Sequence, residues 1–141
     1  MKQLLFDTNV VLDVLLNRTP WVASSYALWQ AHDQVYLVGF LSASTLTDIF
    51  YVARRMIGVE EAFKAVRLCL ETFEICTVDR KALEFAEQLP GNDFEDNLQI
   101  ACAVIAGLDA IVTRDASGYK GSSVPVLTPT QALSQSGETP V

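Results

Sequence analysis

An α/β domain with a mainly parallel central sheet is the fold this sequence predicts. Two observations predict it. Short apolar runs of strand length alternate along the chain with longer segments whose apolar residues recur at helical spacing. The chain has 141 residues, half of them hydrophobic, which suits one domain able to bury its own core. No internal repeat, linker or second domain is visible, so one domain is expected over residues 1–133.

The elements follow in order. Residues 2–6 read as a short buried strand, and residues 10–16 as a helix after Asp7-Thr8-Asn9. Thr19-Pro20 has the form of a helix start, Thr as cap and Pro in the first turn, and that helix is expected to run to about Asp33. Residues 35–40 read as the second strand. Ser42 or Ser44 can cap a helix over residues 45–56, which Gly58 ends. Residues 59–73 carry Ala62, Phe63, Val66, Leu70 and Phe73 at helical spacing. A strand at 74–78 follows, then a helix capped by Asp79 and closed by Pro90-Gly91. Residues 92–107 are helical, with Leu98, Ala101, Cys102 and Ile105 on one face. Residues 109–113 and 124–127 read as strands, and Thr128-Pro129 opens a short last helix. The polar residues 134–141 are expected to form a disordered tail.

Composition narrows the chemistry. No run reaches the about 18 apolar residues of a membrane helix, and the N-terminus lacks the apolar stretch of a signal peptide, which leads to a cytoplasmic expectation with no membrane partner. Cys69, Cys76 and Cys102 form no CxxC and have no nearby His, against a disulfide framework or a zinc site. His32 is the one histidine and no serine lies in GxSxG, so His-based nucleophilic hydrolysis is poorly supplied. The net charge of −7 runs against nucleic-acid binding unless many acids share one cation site. Arg54-Arg55 and Arg80-Lys81 could each contact a phosphate backbone, or simply be solvated.

The acids are the informative residues. In open α/β sheets, sites form beyond the carboxyl ends of the strands where strand order reverses. Asp7 follows one expected strand and Asp115 another, although an Asp there also serves as a cap or turn residue. Asp93, Glu95 and Asp96 open a helix, where the dipole alone favours acids. Asp48 interrupts the apolar run Leu46, Ile49, Phe50, Val52 and Ala53, close to a face expected to be buried. A buried carboxylate is costly unless paired or metal-bound, although a surface position is the plain alternative. Several carboxylates without His or Cys suit a hard cation such as Mg²⁺ or Mn²⁺.

Four segments carry a family resemblance. Phe6-Asp7-Thr8-Asn9-Val10-Val11-Leu12-Asp13 resembles the opening motif of PIN domains. Ser42-Ala43-Ser44-Thr45-Leu46-Thr47-Asp48-Ile49 resembles their second acidic motif, Asp93-Phe94-Glu95-Asp96-Asn97-Leu98-Gln99-Ile100-Ala101 the third, and Ile111-Val112-Thr113-Arg114-Asp115 the fourth. Each motif alone is weak; the four in this order and spacing, across nearly the whole chain, are fairly specific. The resemblance implies a three-layer α/β/α domain and a VapC-like, Mg²⁺- or Mn²⁺-dependent endoribonuclease, the toxin of a toxin–antitoxin pair. It carries the catalytic and metal-binding roles to Asp7, Asp48, Asp96 and Asp115, with Asp93 as an additional candidate ligand and Asn9 and Thr113 in support. It also implies an RNA substrate, an antitoxin partner and a homodimer, for which the helices around residues 21–29 and 59–73 have apolar residues to spare. The family usually carries Glu where this chain has Asp48, one methylene shorter.

Other readings fit less well. A haloacid-dehalogenase-type phosphatase needs a second Asp where Asn9 stands, and a receiver domain needs an early acidic pair that is missing. A catalytically weak domain of the same fold, binding RNA or a protein without cleavage, stays open because of Asp48.

Overall fold

Alternation along the first strand divides the core in two, because successive side chains of a strand point to opposite faces. In β1 (Lys2–Phe6), Leu4 and Phe6 pack on one face and Leu5 on the other, all buried. The structure, a computed structural model, describes residues 1–135. After β1 come α1 (Thr8–Leu15), α2 (Val22–Asp33), β2 (Leu37–Ser42), α3 (Ala43–Ile57), α4 (Val59–Thr72), β3 (Glu74–Cys76) and α5 (Arg80–Glu87). Then follow α6 (Phe94–Ala106), β4 (Ala110–Val112), a 3-10 turn (Ala116–Tyr119), β5 (Val126–Leu127) and α7 (Pro129–Gln135).

The strands form one sheet in the order β3-β2-β1-β4-β5, and every pairing among the described residues is parallel. One face carries Leu4, Phe6, Leu37, Leu41, Ala110 and Val112, covered by residues of α1, α2, α3, α4 and α7. The other carries Leu5 and Ile111, covered by α5 and α6. The result is the expected three-layer α/β/α arrangement. Order reverses between β1 and β4, whose register pairs Phe6 with Val112. The residues that follow, Asp7 and Thr113, therefore leave the sheet side by side.

Several boundaries differ from the sequence reading. Residues 19–21 form a turn in which the Arg18 carbonyl accepts from Val22 N–H at 2.8 Å, so α2 starts at Val22 rather than at Pro20. Val35 has a φ of 64°, which ends the turn after α2 and delays β2 to Leu37. In α4 the buried residues are Ala62, Ala65 and Cys69, while Phe63 and Leu70 are exposed; small side chains let this helix lie close on α3. Ile105 is likewise exposed, at the far end of α6. Ser134 and Gln135, expected in the tail, belong to α7, and the rest of that expected tail lies outside the described residues.

His32 acts as a brace. Its Nδ1 accepts from Gly39 N–H at 2.9 Å, so Nε2 carries the proton and donates to the Thr72 carbonyl at 2.6 Å. The Phe73 ring beside it packs edge-on against Phe6 and Trp29, with centroids 5.5 and 4.8 Å away. No helix among the described residues is long and apolar enough to cross a membrane.

Asp13, on α1, is the one acidic side chain among the described residues with no exposed surface. Burial pushes its carboxyl up, and Arg114 and Arg18 oppose that. Arg114 Nε lies 3.3 Å and Arg18 Nη1 3.7 Å from its oxygens, and the Arg114 guanidinium stacks 3.8 Å over the Trp21 ring. This cluster ties α1 and the start of α2 to the end of β4. Removing one partner of a buried pair leaves a desolvated charge. Arg114→Ala should therefore lower unfolding stability by about 3 kcal/mol in urea titrations, and adding Asp13→Asn should recover part of the loss. An unchanged midpoint for Arg114→Ala would show that Arg18 alone suffices.

Candidate active site

Asp7 stands in the cap position of α1, yet its carboxylate makes no capping hydrogen bond. It is held instead from the neighbouring strand: Thr113 Oγ1 donates to Asp7 Oδ2 at 2.8 Å, and Asp7 N–H donates to the Val112 carbonyl at 2.9 Å. Thr113 Oγ1 in turn accepts from Asp115 N–H at 3.2 Å. A single hydroxyl, itself buried, thus links the two strand-end acids. Asp115 differs from Asp7. It is exposed, and its Oδ1 accepts from Ser117 Oγ at 2.7 Å and from Ser117 N–H at 3.0 Å, which holds its pKa low.

The third group comes from the start of α6. Asp93 caps this helix by accepting from Asp96 N–H at 3.1 Å. Asn97 Nδ2 donates to the Gly91 carbonyl at 3.0 Å and fixes the preceding loop. Asp96 points back over the 3-10 turn, where Gly118 leaves room for it; a Cβ at Gly118 would overlap Asp96 Oδ2. Asp48 comes from α3, on a stripe with Tyr51, Val52 and Arg55.

Two adjoining clefts collect these residues at the carboxyl edge of the sheet. Asp7, Asn9, Asp93 and Asp96 line both. Asp48, Glu95, Gln99 and Arg55 extend one, while Thr113, Asp115, Ser117 and Tyr119 extend the other. The acids form a row with Asp7 and Asp96 in the middle and Asp48 and Asp115 at opposite ends. Among the described residues, no three His, Cys, Asp or Glu side chains close on one point as ligands of a single ion.

Sequence reasoning left several members of this site undeveloped. Below the Asp48 cleft, Thr45 Oγ1 is met by Thr8 Oγ1 at 3.2 Å and Gln99 Nε2 at 3.1 Å, and lies 3.0 Å from Ser42 Oγ. This buried network joins α1, β2, α3 and α6 under the acids. Gln99 could have been noticed as a polar residue on an otherwise apolar helix three positions after Asp96. Tyr119 and Gly118 carry no local signal, because their place depends on the turn folding against α6. Of the two basic pairs noted in the sequence, Arg55 reaches the cleft, whereas Arg80 pairs with Glu84 at 3.6 Å elsewhere.

The electrostatics are those of crowded acids. Burial pushes Asp7 up, with the Thr113 hydrogen bond the largest opposing effect. Loss of solvent raises Asp96 to about 6, and Asp93, Asp7 and Asp115 add to this. Glu95 is raised by loss of solvent and then by the Asp48 carboxylate beside it. Burial also raises Tyr119, with Asp7 and Asp96 contributing.

A carboxyl raised in the folded state is favoured when protonated, so its stabilising effect is present below the unfolded value and lost as pH rises through the folded value. For Asp96 that window runs from 3.8 to about 6. Metal-free Asp96→Asn should consequently melt higher than the parent at pH 7, with a shallower decline across that window. Thermal melts in EDTA at a series of pH values test this, and a parallel fall in both proteins would count against strain at Asp96.

Comparison with known proteins places this geometry. The chain resembles the solved Mycobacterium tuberculosis toxin VapC20, described as cleaving the sarcin–ricin loop, at 16% identity over 81% of this chain and 91% of that one, with a TM-score of 0.68. DNA-bound VapBC from Salmonella typhimurium gives 17% identity over 92% and 99% of the two chains and a TM-score of 0.68. A toxin–antitoxin complex from Klebsiella pneumoniae gives 22% over 89% and 96%, with a TM-score of 0.65. No curated protein matches the sequence. These likenesses support the fold. The PIN domain family model matches residues 3–117, which is most of the chain, and the protein belongs to the PIN domain family.

Proposed function

We propose that the protein is a metal-dependent endoribonuclease and the toxin of a toxin–antitoxin pair. The observation that carries this reading is the row of carboxylates at the reversal of strand order, two of them pushed up, Asp7 by burial and Asp96 by burial and its acidic neighbours. The donor set consists of carboxylate, amide and hydroxyl oxygens, which fits Mg²⁺ or Mn²⁺ and offers no soft ligand. An open row also suits Mg²⁺, which keeps several waters and takes few protein ligands. In this reading Asp7, Asp48, Asp96 and Asp115 hold the ion or ions. Asp93, already engaged as a helix cap, has an outer role, and Glu95 beside Asp48 compensates for its short side chain. A bound ion would supply an activated water and offset charge on the non-bridging phosphate oxygens.

The chain's own residues supply the rest. Thr113 fixes the orientation of Asp7, and Asn9 offers an amide between the clefts. Arg55, at the rim beside Tyr51, can pair with a flanking phosphate and offset the acidic surroundings locally. The likeness to VapBC complexes motivates an antitoxin partner. Exposed Tyr51, Met56, Val59 and Phe63 on α3 and α4 offer apolar surface for that partner or for a second copy of the chain.

Purified protein should cleave single-stranded RNA with Mg²⁺ or Mn²⁺ and stop when EDTA is added. Asp7→Asn should reduce the rate at least about 100-fold with the fold retained, and Asp93→Asn should do less. Parent-like cleavage by Asp7→Asn would refute the mechanism, and RNA binding without cleavage by the parent would favour the catalytically weak alternative.

Overproduction of the parent in bacteria should slow growth, and Asp7→Asn should not. Co-production of the product of a small adjacent gene should restore growth. Normal growth with abundant folded parent protein would remove the toxin role while leaving the nuclease chemistry intact.

A further inference from the structure

Tyr119 ends the 3-10 turn with its ring in the core beneath α6 and its hydroxyl among the acids. The residue is 4% exposed, and its buried hydroxyl oxygen lies against the Asp7 carboxylate without closing a full hydrogen bond. Buried hydroxyls nearly always find a partner, and leaving one unsatisfied costs roughly 1–3 kcal/mol. A phenol is protonated at neutral pH, so Tyr119 has a proton to donate, and the acceptor beside it is Asp7. The cleft it shares contains Asp7 and Asp96, and Asp7 is already oriented by the Thr113 hydroxyl.

We infer that Tyr119 is a positioning residue for Asp7, its hydroxyl donating to that carboxylate once Asp7 is engaged by a divalent cation. The inference rests on the cation-binding reading above. Burial of the oxygen decides between two roles. With no accessible surface it cannot touch an RNA phosphate, so it acts through a carboxylate rather than on substrate. A donor to a carboxylate held by a cation makes a shorter and stronger hydrogen bond than one to a neutral acceptor. Thr113 beyond the strand and Tyr119 from the turn would then hold Asp7 from two elements, and the incompletely bonded hydroxyl closes on Asp7 in the loaded state. The same arrangement gives Gly118 a reason: a side chain there would displace Asp96 from its place beside this pair.

The test is Tyr119→Phe, which keeps the ring and removes only the hydroxyl oxygen. Calorimetric titration with Mn²⁺ and thermal melts in EDTA are compared for the parent, Tyr119→Phe, Asp7→Asn and the double variant. Without metal, Tyr119→Phe should melt at or above the parent, because an incompletely bonded buried group is gone. Its Mn²⁺ affinity should fall about tenfold, as expected for losing a hydrogen bond to a charged group. In the Asp7→Asn background the same change should have no further effect on Mn²⁺ affinity, since Tyr119 acts through Asp7. Parent-like Mn²⁺ affinity in Tyr119→Phe, or an equal loss in both backgrounds, would overturn the inference and leave the cation reading standing. A parent protein that binds no Mn²⁺ would overturn both.

Discussion

The hydrogen-bonded chain from Asp115 N–H to Thr113 Oγ1 and on to Asp7 Oδ2 is the constraint on which the site depends. It can form only because β1 and β4 are neighbours in register, although more than a hundred residues separate Asp7 from Thr113 in sequence. Parallel neighbours require a crossover, and here the crossover from β1 to β4 takes in most of the chain. Every intervening element therefore contributes indirectly to the placing of one carboxylate. The buried faces of β1 and β4 fix the register, since a slip of one residue would turn Leu5 and Ile111 out of the core on one side of the sheet.

What the sequence made legible follows the range of each signal. The strands expected at 2–6 and 109–113, the cap at Asp79, the choice of Ser42 or Ser44 as a cap and the stop at Gly58 are local signals, and the structure answers them with strands at 2–6 and 110–112, caps at Asp79 and Ser42 and a helix end at Gly58. Asp7, Asp93 and Asp115 were legible as positions, but not which of them would cap and which would stay free. Asp79, Asp93 and Asp115 each accept backbone N–H groups two or three residues on, whereas Asp7 occupies a cap position and caps nothing. That difference comes from Thr113, just beyond another strand, so no window around Asp7 could contain it. Likewise, the spacing of Phe63 and Leu70 defined a helix but not what covers it. Ala62, Ala65 and Cys69 took the interface because α3 approaches closely there. Arg55, Gln99 and Tyr119 joined the site through packing between elements, which periodicity does not encode.

Asp13 lies one turn and a half beyond Asp7 on the same helix and is the more buried of the two. Its burial is answered in the ordinary way, by Arg114 and Arg18, with Trp21 supporting one of them. The cleft acids receive no such answer: among the described residues, Asp7, Asp48, Asp93, Glu95, Asp96 and Asp115 have no ion pair within 4.0 Å. Arg114 stands next to Asp115 in the chain and eases Asp7 and Asp115 from a distance, yet its guanidinium pairs directly with Asp13. A fold that can neutralise a carboxylate so close by, and leaves a row of them without an ion pair, is the electrostatic ground for the proposed cation site. The net charge of −7 is consistent with this, because part of the excess is concentrated where a cation would offset it. The charge balance thus points the same way as the strand order, and the two are physically independent.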